Sequence, residues 1–168
     1  MNFIIDKSKY FIVTPENSSY YITDDGSLLF NGLSGDYSVL LGGDWRLDLV
    51  VDSDTGLCTH VQSYLPALSP TVICLNLPQF ISGDLFFISE EKMIPGEGCH
   101  YNSFKNSVFW DDKKRILCFG DPMMHGDSVE FAKKTIATLN NNELVNIFMV
   151  LDELSVKEFP FQRLITET

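Results

Sequence analysis

Four short stretches of this chain bring together residue types that could do chemistry. Cys99 and His100 stand side by side in a glycine-rich segment, the one place where a thiol and a base could meet. A thiolate at neutral pH needs a positive neighbour or a helix N-terminus. Here Glu97 is close, and Lys92 and Lys105 are further off. No orienting third residue or oxyanion loop accompanies the pair, so a Cys–His hydrolase is disfavoured. Cys58 and His60 read as two residues on one face of a strand. They would make half a metal site, and core packing is the preferred reading. Asp52-Ser53-Asp54-Thr55-Gly56 begins like a calcium loop, but the sixth residue after Gly56 is Gln62, where a bidentate glutamate is required. A turn built on aspartate side chains fits better. Gly120-Asp121-Pro122-Met123-Met124-His125-Gly126-Asp127 offers two carboxylates and a histidine, without a nucleophile or second histidine, and reads as a solvated turn.

Further chemistry is thin. There is no GxxxxGK[ST] phosphate loop and no GxGxxG fingerprint. Lys113-Lys114-Arg115 is the only basic cluster, and Asp111-Asp112 beside it cancels most of its field. Cys58, Cys74, Cys99 and Cys118 are widely spaced with no CxxC pair, as expected for reduced thiols. The expectation is therefore a non-enzyme with no catalytic residue, no metal and no cofactor.

The elements that must position these residues are mostly short strands. β-Branched and aromatic runs alternate with turn residues along nearly the whole chain. Residues 10–13, 20–23, 27–30, 37–41, 45–51, 57–65, 71–77, 84–89, 107–110 and 115–119 read as strands. Asp24-Asp25-Gly26 is a strong hairpin signal, because aspartate and glycine tolerate positive φ. Trp45, Leu47, Leu49 and Val51 share one face of a half-buried strand; Arg46, Asp48 and Val50 share the other. Residues 90–105 form the longest irregular stretch and could be a lid. Residues 128–139 are read as strand over helix, with Asn140-Asn141-Asn142 turning the chain into a strand over 144–151. Residues 155–168 read as a short terminal helix or an edge segment. One domain over residues 1–168 is expected, an antiparallel β-sandwich or open barrel with or without one short helix, an α+β arrangement being the alternative.

Charge is the most informative feature. The net charge of the 168-residue chain is −11, and over residues 10–91 eleven acids face the single base Arg46. Such a field repels nucleic acid and anionic lipid and favours a basic protein partner. No run reaches the roughly 18 apolar residues of a membrane span, and the start Met1-Asn2-Phe3-Ile4-Ile5-Asp6-Lys7 lacks the basic-then-apolar pattern of a signal peptide. The expectation is a cytoplasmic protein binding neither nucleic acid nor membrane. Asp24, Asp25, Asp36, Asp44, Asp52 and Asp54 fall at turns, joined by Glu90 and Glu91 in the long loop, and these eight are the expected partner-binding residues. Alternate turns of an up-and-down sheet gather at one end, which would merge several into one negative surface. Tyr20, Tyr21 and Tyr64 are the expected aromatic anchors.

The strand–turn–strand Leu47-Asp48-Leu49-Val50-Val51-Asp52-Ser53-Asp54-Thr55-Gly56-Leu57, with the late stretch over 129–151 and its asparagine turn, resembles the small acidic β-rich immunity proteins that bacteria pair with polymorphic and contact-dependent toxins. The resemblance covers about a third of the chain and carries over no functional residue. It implies a cytoplasmic inhibitor that binds one toxin domain, often a basic nuclease. The alternatives are a small-molecule-binding barrel or hydrolase under the 90–105 lid, and a structural or assembly subunit.

Overall fold

Asn141 and Asn142 both take positive φ, 51° and 65°, and so close the two-residue turn between two long strands. Turns of this kind organise the chain. The computed structural model describes residues 1–8, 18–32, 34–42 and 47–154. In chain order its strands are β1 (Asn2–Asp6), β2 (Ser19–Ile22), β3 (Ser27–Asn31), β4 (Tyr37–Leu41), β5 (Leu47–Val51), β6 (Cys58–Tyr64), β7 (Thr71–Val72) and β8 (Ile81–Ser82). They continue with β9 (Asp84–Ile88), β10 (Gly98–Tyr101), β11 (Val108–Asp111), β12 (Ile116–Gly120), β13 (Asp127–Ala132), β14 (Thr135–Asn140) and β15 (Glu143–Val150). The only helical element among the described residues is a 3-10 turn at Leu65–Ala67, and no helix is long and apolar enough to cross a membrane.

The strands form two large sheets, ordered β10-β4-β5-β6-β3-β2 and β7-β11-β12-β15-β14-β13-β8, and a β1-β9 ribbon. Pairing is antiparallel except at three edges, where β10 joins β4, β7 joins β11 and β8 joins β13 in parallel. Leu28, Val39, Leu49, Val51 and Val61 of the first sheet meet Leu117, Phe119, Val129, Phe131, Ile147 and Met149 of the second in one core. The architecture is thus a mostly β sandwich, as the turn spacing predicts. Residues 128–139 are strand: β13 and β14 form a hairpin through Lys133-Lys134, with Lys134 at φ 55°. The strand expected over 10–13 and the terminal segment over 155–168 lie outside the described residues.

The seven-stranded sheet is buried on both faces. Ile116, Cys118, Ile136 and Phe148 point away from the main core into a second apolar cluster with Leu75. This explains the apolar runs over 116–119 of β12 and 147–150 of β15, since a strand covered on both sides has no polar face to alternate. The cover is the segment 73–80, which sequence reading assigns to a strand over 71–77. Only Thr71–Val72 pairs; the chain then leaves β11, crosses the sheet and pairs again at β8 on the far edge. Six inter-strand gaps of about 4.8 Å make a span of roughly 29 Å, and the nine steps from Val72 to Ile81 reach about 30 Å when extended. The strap therefore has little slack.

Its unpaired backbone groups are met from the β11–β12 turn. Leu75 N donates to Asp111 Oδ2 at 2.8 Å, and Lys114 Nζ donates to Leu75 O at 2.6 Å and Asn76 Oδ1 at 3.0 Å. The amides of Leu75 and Lys114 hold the Asp111 carboxyl below its usual range. A lowered folded value means the clamp is complete above the ordinary aspartate pKa of 3.8 and is lost as pH falls through the lowered one. The Leu75 amide is expected to lose protection, relative to the intrinsic exchange rate at each pH, as acid protonates Asp111, and Asp111→Asn to remove that pH dependence. Hydrogen exchange followed from neutral pH into acid reads this, and an Asp111→Asn profile identical to the parent's would refute it.

The β1-β9 ribbon closes one side of the sandwich. Phe3, Leu85 and Phe87 enter the core. Phe3 N donates to Asn142 O at 2.8 Å and Phe87 N to Gly56 O at 2.8 Å, tying the ribbon to a hairpin of each sheet. Gly56 has φ +77°, and a Cβ there would lie 2.6 Å from Phe87 O, so both the turn and this junction require glycine. Sequence reading leaves residues 2–6 without an element.

Candidate functional site

The acidic turns divide between two ends of the first sheet. Asp36 precedes β4, and Asp52 and Asp54 lie between β5 and β6. Ser53 N and Oγ donate to the two Asp36 carboxylate oxygens at 2.8 and 3.0 Å, so these turns touch. The segment from β9 to β10, which carries Glu90 and Glu91, folds onto the same end: Gly96 N donates to Asp36 O at 2.7 Å and Ser38 N to Glu97 O at 3.1 Å. Asp24 and Asp25 are elsewhere. Their turn precedes β3, which runs antiparallel to β6, and Leu65 N bonds Gly26 O at the far end of β6. Six steps along β6 separate the two ends by about 20 Å. Asp44 lies outside the described residues. Alternate turns therefore share an end as expected: Asp36, Asp52 and Asp54 gather, with Glu90 and Glu91 brought to them by the β9–β10 segment, while Asp24 and Asp25 lie at the opposite end. β2 to β6 run alternately up and down, and the crossed order β5-β6-β3 leaves that alternation unchanged.

Not every carboxylate here is available to a partner. Asp52 accepts the Thr55 hydroxyl at 2.6 Å and its amide at 2.8 Å, and the hydroxyl bond leads the lowering of its carboxyl. Asp25 accepts the Thr23 hydroxyl and the Ser27 amide, and its carboxyl is lowered in the same order. These two groups, with Asp36, build their turns. Asp24, Asp54, Glu90 and Glu91 are exposed.

The other sequence candidates resolve locally. Cys58 and His60 do not share a face. β5 pairs Val51 with Cys58 and Val50 with His60, so Thr59 is an extra residue and the bulge rotates His60 out of register. Cys58 joins the core, while His60 contacts the Thr59 hydroxyl at 3.0 Å and the Gln62 amide at 3.1 Å and stacks on Phe30. Cys99 and His100 are consecutive residues of β10 and point to opposite faces. Burial pushes the Cys99 thiol up, the direction opposite to activation, against a hydrogen bond from Tyr37. Asp121 is held by Lys105 at 3.0 Å and Asp127 by Lys7 at 3.4 Å, so those two carboxylates answer different cations. Among the described residues no group of three His, Cys, Asp or Glu side chains is placed to hold a metal.

Two aromatic expectations change. Tyr20 is buried, its hydroxyl 2.9 Å from Thr135 Oγ1 of the opposite sheet, and burial pushes its phenol up to about 12. It pins the two sheets together and cannot anchor a partner. Tyr21 is exposed and Tyr64 half-buried. The 90–105 stretch also differs from a lid, because Gly98–Tyr101 is an edge strand bonded to β4. Three clefts lie elsewhere: about 390 Å³ between β2 and Lys133, Lys134 and Leu151, about 500 Å³ beside Cys74 and Lys114, and about 250 Å³ between the strap and Met123.

No protein-family model matches this chain, and no curated protein gives a significant match.

Asp48 is the residue that sequence reading missed. It sits on the outer face of β5, where Ser38 Oγ donates to its Oδ2 at 2.9 Å while its buried Oδ1 has no partner among the described residues. Burial raises its carboxyl above the usual range, with the Ser38 bond opposing. The signal was Val50, an apolar residue on the face assigned to solvent.

Proposed function

We propose that this chain is a protein-binding domain that inhibits a basic partner stoichiometrically, with a nuclease-type toxin domain as the partner that its resemblance to immunity proteins suggests. The observation that carries the reading is the gathering of Asp54, Glu90, Glu91 and Glu97, all exposed, around the turns built by Asp36 and Asp52. The sequence around these residues holds few cations, Lys92 beside Glu91 and Arg46 ahead of Asp52 being the nearest. A surface of one sign steers an oppositely charged protein and speeds encounter by 10-fold to about 1000-fold at low salt. The steep acidic bias of residues 10–91 supports the same reading, since a surface tuned only for solubility mixes both signs.

The test is a pull-down from the native host with the intact chain as bait, eluted by salt. A single basic domain released at moderate salt and inhibited at one-to-one stoichiometry is the expected result. Recovery of an acidic partner, or of none, sinks the reading and directs the search to small molecules for the clefts.

A further inference from the structure

The β1-β9 ribbon buries one face and leaves the other open. Register places Ile4 opposite Phe86 and Asn2 opposite Ile88, and the isolated bridge of Leu57 to Phe86 extends the row to a third strand. Ile4 and Ile88 remain 47% and 40% exposed, and Leu57 and Phe86 are half-buried. An apolar sheet face of this kind in a chain of net charge −11 is out of character with its surroundings.

Those surroundings are acidic on every side. Glu90 and Glu91 follow Ile88 after Ser89 at one end of the ribbon, and Asp6, opposite the buried Asp84, lies at the other. The turn holding Asp54 flanks β9 through the Gly56–Phe87 bond, and Glu143 flanks β1 through the neighbouring Asn142–Phe3 bond. Of the nearby cations, Lys7 is paired with Asp127 at 3.4 Å, Lys92 adjoins Glu91, and the Met1 amine stands at the Asn2 end of β1 beside the Glu90 and Glu91 side. The apolar row by itself falls well short of the ~800 Å² that a partner contributes to a stable interface. The acidic rim must supply the remainder. Two copies of this face would bring like charges together, which argues against self-association.

We infer that the outer face of the β1-β9 ribbon is the docking surface, and that it takes a protein presenting an apolar side chain ringed by lysine or arginine. The inference rests on the protein-binding reading above and says which surface does the binding. Apolar contacts at the centre would set the lifetime of the complex, and the carboxylates around them its rate of formation.

The experiment places a photoreactive benzophenone side chain at position 4 or 88 of the full chain, with position 123 as control, and irradiates cells of the native host. Met123 is 76% exposed and belongs to the strap cleft on another face. The expected result is a cross-link from positions 4 and 88 to one basic protein, absent from 123 and abolished by Glu90→Lys with Glu91→Lys. Ile88→Ala is expected to weaken that complex about 10-fold or more. Cross-links from 123 alone overturn the surface and leave the protein-binding reading standing. Cross-links to a second copy or to an acidic protein overturn the charge argument. Absence of any cross-link from all three positions overturns both.

Discussion

Phe148→Ala is expected to cost about 3–5 kcal/mol of folding stability, near the top of the range for a buried aromatic. Phe148 is 1% exposed and stands on β15, between β12 and β14 at the middle of the seven-stranded sheet. Its ring faces outward, where Leu75 of the strap meets Ile116, Cys118 and Ile136. Truncation leaves a cavity beneath the strap, which packs Leu75 against this ring. The strap is tied at β7 and β8 and spans its gap nearly fully extended, so it cannot sag into the space. Leu77→Ala, on the exposed part of the same strap, is expected to cost less than about 1 kcal/mol. Equilibrium denaturation of the two variants makes the comparison. Similar small losses would mean that the strap rests on the sheet without packing against it.

The strap also shows where sequence reading reaches its limit. Residues 71–77 have the composition of a strand, and Thr71–Val72 is one. Nothing local says that the chain then turns across a sheet that does not form until residues 108–150 are in place. The same holds for β10, whose partner β4 lies about sixty residues earlier, and for β1, whose pairing with β9 spans most of the first half. Elements fixed by their own turns were legible: Asp24-Asp25-Gly26, the Asp111–Lys114 turn and Asn141-Asn142 all close hairpins where expected. The site behaves likewise. That aspartates would occupy turns follows from residue type alone. That alternate turns share an end, with Asp24 and Asp25 opposite Asp36 and Asp54, follows from antiparallel alternation; that Glu90 and Glu91 join the second group depends on the β9–β10 segment folding back onto Asp36, which nothing local shows. The Thr59 bulge is a further case, since one extra residue reversed the relation of Cys58 to His60.

Those separated ends lead to the second large expected effect. Neutralising Asp54, Glu90 and Glu91 together (Asp54→Asn, Glu90→Gln, Glu91→Gln) is expected to slow association with the basic partner about 10-fold or more at low ionic strength. The three are chosen because they are exposed and do not build their turns, whereas Asp36 and Asp52 hold Ser53 and Thr55 in place. Stability is therefore expected to stay within about 0.5 kcal/mol of the parent, as for ordinary surface changes. Dissociation is expected to change less than association, because charges at a rim act mainly on encounter. Salt supplies the internal control: screening over about 10 Å at 0.1 M already removes most of the parent's advantage, so the two rates converge as salt is added. Asp24→Asn with Asp25→Asn, about 20 Å away along β6, is expected to matter much less. Stopped-flow association over a range of salt separates the outcomes. Equal slowing from both sets would mean that total charge, and no particular end of the sandwich, governs encounter. An unchanged rate in the triple variant would remove electrostatic steering from the account and leave the apolar ribbon face to explain binding alone.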